Sequence, residues 1–152
     1  MSYEVFTDDT INNCTQPFAI KKGNVWYAFP KSVIEASIDD YKLWAEGSGR
    51  SMTGESKGTL VGIFPKLQIK IGRQTASERA VLTGLLNQAE TTVRAYCVER
   101  QRFEQASFYF GDVVNKIKKW DKNGTLADGV YTNNSVFDSL SFSVIANKRR
   151  SG

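Results

Sequence analysis

From Lys66 to Ile71 the chain alternates polar and apolar residues without a fault, so Leu67, Ile69 and Ile71 fall on one side of an extended backbone and Lys66, Gln68 and Lys70 on the other. A period of two cannot line one side of a helix. This stretch is a strand with one dry face and one wet face. The same period returns in Ser139-Leu140-Ser141-Phe142-Ser143-Val144, with Leu140, Phe142 and Val144 inward, and between Thr91 and Glu99, where Val93, Ala95 and Cys97 alternate with Arg94, Tyr96 and Val98. Further strand-like runs are Asn24 to Phe29, halted by Pro30, then Ser32 to Ile38, and Gln105 to Val114 around Phe108-Tyr109-Phe110. Thr59 to Phe64 is β-branched and apolar, and Pro65 separates it from Lys66, so the two runs read as the two strands of a long hairpin. A polar connector, Lys116 to Gly129, precedes Val130 and Tyr131.

One segment has a different period. Thr75-Ala76-Ser77-Glu78 has the spacing of a capping box, in which the Thr75 hydroxyl and the Glu78 carboxylate satisfy free backbone amides at a helix start. Leu82, Leu85, Leu86 and Ala89 then stand at i, i+3, i+4 and i+7 and form one apolar stripe, which predicts a helix from Ala76 to Ala89 lying against a sheet. One helix among several strands predicts a mainly β fold: a β-sandwich or open barrel with a long hairpin and one flanking α-helix. At 152 residues without an internal repeat or linker the chain reads as a single domain, 1–152, large enough to bury a core without disulfide or metal staples. Glu46 to Gly58, rich in glycine and serine, is expected to be a long exposed loop, and residues 148–152 an exposed basic tail.

Composition removes several kinds of chemistry. The chain has no histidine, so Ser-His-Asp and Cys-His nucleophiles, His-ligated zinc and imidazole switches are absent. The two cysteines, Cys14 and Cys97, lack C-x-x-C spacing and are expected to be buried free thiols. Gly54-Glu55-Ser56-Lys57-Gly58-Thr59 resembles a phosphate-binding loop only superficially, since Lys57 precedes Gly58 and a strand follows. Asp8-Asp9 and Asp39-Asp40 are adjacent pairs whose side chains would diverge on a strand, and they read as solvated turns; Asp112 reads as a strand-end turn residue. No catalytic residue, metal or cofactor is assigned, and the chain is expected not to be an enzyme. Its start, Met1 to Asp9, has no basic leader or apolar run, and nothing approaches the ~18 apolar residues of a membrane helix, so the expected place of synthesis is a cytoplasm, without membrane insertion. The net charge of +4 is mild. Lys66, Lys70, Arg73, Arg94, Lys116, Lys118, Lys119, Trp120 and Lys122 nevertheless supply the residue types of a single-stranded nucleic-acid-binding barrel, the alternative of another class.

The order of parts resembles the small tail proteins of long-tailed bacteriophages. The likeness runs from Arg50 to Ala146 and rests on the Gly/Ser loop with Arg50 and Gly54, the runs Thr59–Phe64 and Lys66–Ile71, the capped helix ending in Leu85-Leu86, Phe108-Tyr109-Phe110-Gly111-Asp112, and Leu140-Ser141-Phe142-Ser143-Val144. It implies the fold shared by tail-tube, distal-tail and tail-terminator subunits, and a virion protein made in the host bacterial cytoplasm. Such proteins form rings, typically of six copies, whose hairpins line a lumen while an extended loop reaches a neighbour. Carried over, the contacts between copies would be Arg50, Met52, Lys57, Thr59, Val61, Ile63, Leu67, Ile69 and Ile71, and Lys66, Gln68 and Lys70 would face the lumen. The expected partners are further copies of the chain and other tail proteins, with DNA passing without sequence-specific binding. A tail tube, tail tip or baseplate adaptor is the first reading, and a head-tail connector or tail terminator the alternative. Lumen faces in that family are often acidic or neutral, from which the basic Lys66 and Lys70 depart.

Overall fold

The computed structural model describes residues 3–28, 33–44, 49–50, 56–57 and 60–150, with main chain alone at 44, 49–50, 56–57 and 60–61. In chain order the strands are β1 (Glu4–Thr7), β2 (Phe18–Lys22), β3 (Val25–Ala28), β4 (Val33–Trp44), β5 (Gly49–Arg50), β6 (Ser56–Lys57), β7 (Leu60–Ile71) and β8 (Gln74–Thr75). After the helix α1 (Ala76–Leu86) come β9 (Glu90–Cys97), β10 (Arg102–Tyr109), β11 (Ile117–Lys119), β12 (Thr125–Ala127), β13 (Val130–Thr132), β14 (Val136–Phe137) and β15 (Leu140–Ala146). Eight strands form one antiparallel sheet in the order β1-β3-β2-β9-β10-β15-β7-β4, so the fold is mainly β with a single α-helix among the described residues. The sheet bends far enough to bring β4 back into contact with β9, as an open barrel requires.

The alternation read from the sequence decides which face is dry. Leu67, Ile69 and Ile71 are paired in register with Val144, Phe142 and Leu140 of β15, and the cluster continues through Phe108, Val93, Ala95, Phe18 and Ile20. Leu82, Leu85 and Leu86 of α1 close this core from inside the bend. The helix starts as its sequence dictates, with the Glu78 carboxylate accepting the Thr75 amide at 3.4 Å. It ends at Leu86, with Asn87 as its C-cap, so the exposed Ala89 lies beyond it. The N-terminal third holds a second cluster of Ile11, Cys14, Ala19, Trp26 and Ala28; Cys14 and Cys97 are buried free thiols.

Several expectations need correction. The runs on either side of Pro65 are one strand, β7, and its hairpin partner is β4, which extends well past Ile38 to Trp44. In an antiparallel ladder the amide and carbonyl of a residue point to the same side, and that side alternates along the strand. The Ile63 carbonyl accepts from the Arg150 amide, which points it away from β4, and Pro65 shares that parity. The N–H that proline lacks would therefore face β15, at the place where β15 turns away to pair Ala146 with Phe108. Asp39-Asp40 is not a turn but mid-strand, opposite Lys66 and Pro65. Within the expected loop, Gly49 and Arg50 pair with Lys57 and Ser56, and the rest of Glu46–Gly58 lies outside the described residues. The connector contains β11 and β12, and the basic tail is in part folded back, since the Arg150 side chain is 8% exposed.

Candidate assembly interface on the long hairpin

The hairpin of β4 and β7 has a body half and a free half. From Lys66 to Ile71, β7 lies between β4 and β15 and both of its sides are paired. From Leu60 to Pro65 the ladder of β15 is gone, and the two-stranded ribbon runs on beyond the sheet. A two-stranded ribbon is marginal in water without further packing. Its pairs are Tyr41 with Phe64, Lys42 with Ile63 and Leu43 with Gly62, and Tyr41 and Leu43 are exposed.

The wet face of the hairpin is a ladder of complementary polar pairs. Glu35 faces Lys70, Ser37 faces Gln68, and Asp39 faces Lys66, with Ser141 and Ser143 alongside on β15. The Gln68 amide donates to Asp39 at 2.6 Å, the Ser37 hydroxyl donates to the same carboxylate, and the Lys66 ammonium lies 5.8 Å from the centre of the Tyr41 ring. The hydroxyl of Ser37, then the amide of Gln68, hold the Asp39 carboxyl below the ordinary aspartate range. Glu35, Ser37, Gln68, Lys70, Ser141 and Ser143 line a shallow trough of about 500 Å³ on this face. The residues expected to face a lumen, Lys66, Gln68 and Lys70, therefore share one surface, and the acids of β4 balance its charge.

The longer row of unpaired main chain is on β4; on β7 the outer side is paired with β15 from Lys66 to Ile71, and on the free half the Ile63 carbonyl accepts from the Arg150 amide. Continuing the alternation from Ile63 through the register, Glu35, Ser37, Asp39, Tyr41 and Leu43 turn their amides and carbonyls toward β7. Ala36, Ile38, Asp40 and Lys42 turn theirs outward, along a sheet edge that no described strand covers. Two features limit indiscriminate pairing there. The step from Val33–Ile71 to Glu35–Lys70 leaves Ile34 as an extra residue, and Glu35, Asp39, Asp40 and Lys42 put charge along the edge.

Of the residues expected at contacts between copies, Leu67, Ile69 and Ile71 are corrected: they are buried in the chain's own core and offer no side chain to a neighbour. Ile63 is half-buried on the ribbon. Arg50, Lys57 and Val61 lie on β5, β6 and β7, and their side chains, with all of Met52 and Thr59, lie outside the described residues. Of the basic residues weighed for nucleic acid, Arg94 is buried, donating to the Cys14 carbonyl at 2.8 Å and lying over the Phe103 ring. Lys116, Lys118, Lys119, Trp120 and Lys122 are exposed together.

Two arrangements escaped the sequence reading. Arg79 stands three residues before Leu82, on the same face of the helix, where a charged residue is unexpected; it is 2% exposed and clamps Gln74, Asn115 and the Asp138 carbonyl. Arg150 is separated by 110 positions from its acidic partner Asp40, and no local pattern announces such a pair. Among the described residues no group of histidine, cysteine, aspartate or glutamate is placed to hold a metal ion, and no helix is long and apolar enough to cross a membrane. Comparison of the chain with protein-family models, with curated proteins and with solved structures found no match.

Proposed function

We propose that this chain is a structural subunit of a bacteriophage tail, in a tail tube, tail tip or baseplate adaptor, that joins copies of itself into a ring through the β4–β7 hairpin. The observation that carries the reading is the outward row of main-chain groups on Ala36, Ile38, Asp40 and Lys42, on a strand 12 residues long that ends in a protruding apolar ribbon. Such an edge is a template for another strand, and a closed ring is the arrangement that satisfies it on every copy without open-ended growth. The complementary pairs Glu35–Lys70 and Asp39–Lys66 make the wet face neutral, which suits a wall past which DNA slides without being gripped.

Proline separates the edge from the ladder. Ala36→Pro and Lys42→Pro each remove an outward N–H and none of those shared with β7, so both variants are expected to fold and to lose self-association. Ser37→Pro removes an N–H that faces Gln68, and should destabilise the subunit itself. Analytical ultracentrifugation over a concentration series, with electron micrographs of the associated form, reads the result. Self-association unchanged in Ala36→Pro and Lys42→Pro would overturn the proposal.

A second reading, single-stranded nucleic-acid binding, draws on Trp120. Its ring is 53% exposed and lies 5.8 Å from Tyr131, beside Lys119 and Lys122, on a turn held by the Asp121 carboxylate. Stacking of a base on such a ring contributes about 1–3 kcal/mol, and binding through the lysines weakens steeply with salt. Titration of an oligothymidylate at two salt concentrations against Trp120→Ala decides this reading: equal affinity of both proteins refutes it.

A further inference from the structure

The free half of β7 has an edge of its own, and the chain's C-terminal segment covers it. At Ala146 the main chain leaves β7 for β10, and the Asn147 amide donates to the Ser107 carbonyl at 3.0 Å. Three residues later the chain returns, and the Arg150 amide donates to the Ile63 carbonyl at 2.7 Å. Two side chains hold this strap on opposite faces of the ribbon. On the wet face Arg149 lies over Gly62, so close that a Cβ built on Gly62 would stand 2.6 Å from the Arg149 Cβ. On the dry face the Arg150 guanidinium pairs with Asp40 of β4, with Glu99 and Glu104 each at 3.9 Å.

We infer that the strap Asn147–Arg150 is a competitor for copy-to-copy pairing: it occupies the Leu60–Phe64 edge of β7 in the free subunit and must leave when the β4 edge of a second copy pairs there. This rests on the proposed pairing through the hairpin and adds its regulation. Two features of the ribbon make a second copy the displacing strand. A ribbon that presents an open edge on β4 and a covered one on β7 can join head to tail only if the cover moves. The fastening is also weak in the way a replaceable contact must be. Among the described residues a single strap amide takes the place of a ladder, and the Arg150 Nε and Nη1 atoms are buried without a hydrogen-bond partner.

Two variants loosen the strap by unrelated means. Arg150→Glu replaces the attraction to Asp40 by repulsion from Asp40, Glu99 and Glu104. Gly62→Val fills the space under Arg149 with a side chain suited to a strand, and leaves the charges as they are. Arg150→Glu is expected to lower the concentration at half-assembly about tenfold, the weight of one lost charge-assisted contact in the closed form, and Gly62→Val, which displaces Arg149 by contact alone, to lower it as well. In the wild type, hydrogen exchange at the Arg150 amide should be slow in the free subunit and fast in the assembled one. A wild type that associates, with half-assembly unmoved in both variants or with the Arg150 amide still protected after assembly, overturns the strap and leaves edge pairing standing. A chain that stays monomeric in every variant overturns both.

Discussion

Arg79 and Gln74 are joined by a 2.8 Å hydrogen bond, Nε to Oε1, at a point where both residues are 2% exposed. The rest of the guanidinium donates to Asn115 Oδ1 at 3.2 Å and to the Asp138 carbonyl at 2.5 Å, while the Gln74 amide donates to the Tyr3 hydroxyl at 2.9 Å. All of these acceptors are neutral. Burial accordingly pulls the Arg79 pKa down, against the opposite pull of Tyr3 and Asp138. The network ties α1, the N-terminus and the segment before β15 to one side chain, and it can do so because a guanidinium donates in a fixed planar fork.

Arg79→Ala should therefore cost about 3 kcal/mol in urea unfolding, since it leaves the buried Gln74 carbonyl oxygen without its donor, empties the space of a buried side chain and frees Asn115 and the Asp138 carbonyl. Arg79→Lys should recover little of this, because one ammonium cannot span three acceptors in different directions. Full recovery by lysine would show that charge, and not geometry, is what the site uses.

At the start of the same helix, Thr75 and Glu78 form the capping box. Thr75→Ala should lower stability by about 1 kcal/mol, read as a drop in Tm with the far-ultraviolet spectrum of the folded protein unchanged. A larger loss would mean that the β8–β14 pairing of Thr75 with Val136 matters more than the cap.

These two cases show what could and could not be read from the chain alone. The cap is local, four residues whose types satisfy one another, and alternation at Leu67, Ile69 and Ile71 is equally local; both were legible. Asp39-Asp40 was misread because aspartate disfavours strands, and what overrides that preference is distant: Lys66 and Gln68 across the ladder for Asp39, Arg150 for Asp40. Pro65 looked like a strand end because a missing N–H usually is one, and only the departure of β15 at that point makes it harmless. The open edge on β4 was missed for the same reason. A strand's two sides are known only when its neighbours are.

Stability should fall on acidification as the carboxyls with depressed pKa values take up protons. Asp39 is held down by Ser37 and Gln68, Asp121 by the amides of Asn134 and Asn123, and Glu90 by Ser107 and Asn147. Each binds its proton less tightly folded than unfolded, so the unfolded chain takes up more protons below its own carboxyl pKa of about 4. The contribution is whole above that value and disappears as the pH drops through the lower folded pKa. Urea midpoints measured from pH 6 downward should be flat and then decline below about pH 4, and Asp39→Asn should decline less steeply than the wild type. Parallel curves would show that the contacts of Asp39 do not favour its charged form.

The boundary between the core and the candidate interface on the hairpin can be tested with two leucines. Leu67 is buried in contact with the central cluster, and truncation to alanine removes apolar burial and leaves a hole that the packed sheet and helix cannot fill. Leu67→Ala should cost about 2–5 kcal/mol in the monomer. Leu43, 40% exposed on the protruding ribbon, has little to lose in the free subunit, and Leu43→Ser should change its unfolding free energy by no more than about 0.5 kcal/mol. In the proposed ring a neighbour would cover the same ribbon, so Leu43→Ser should raise the concentration needed for association while Leu67→Ala, at temperatures where it stays folded, should not. If Leu43→Ser leaves association untouched, the apolar ribbon contributes nothing to contact between copies, and pairing must rest on the β4 main chain alone.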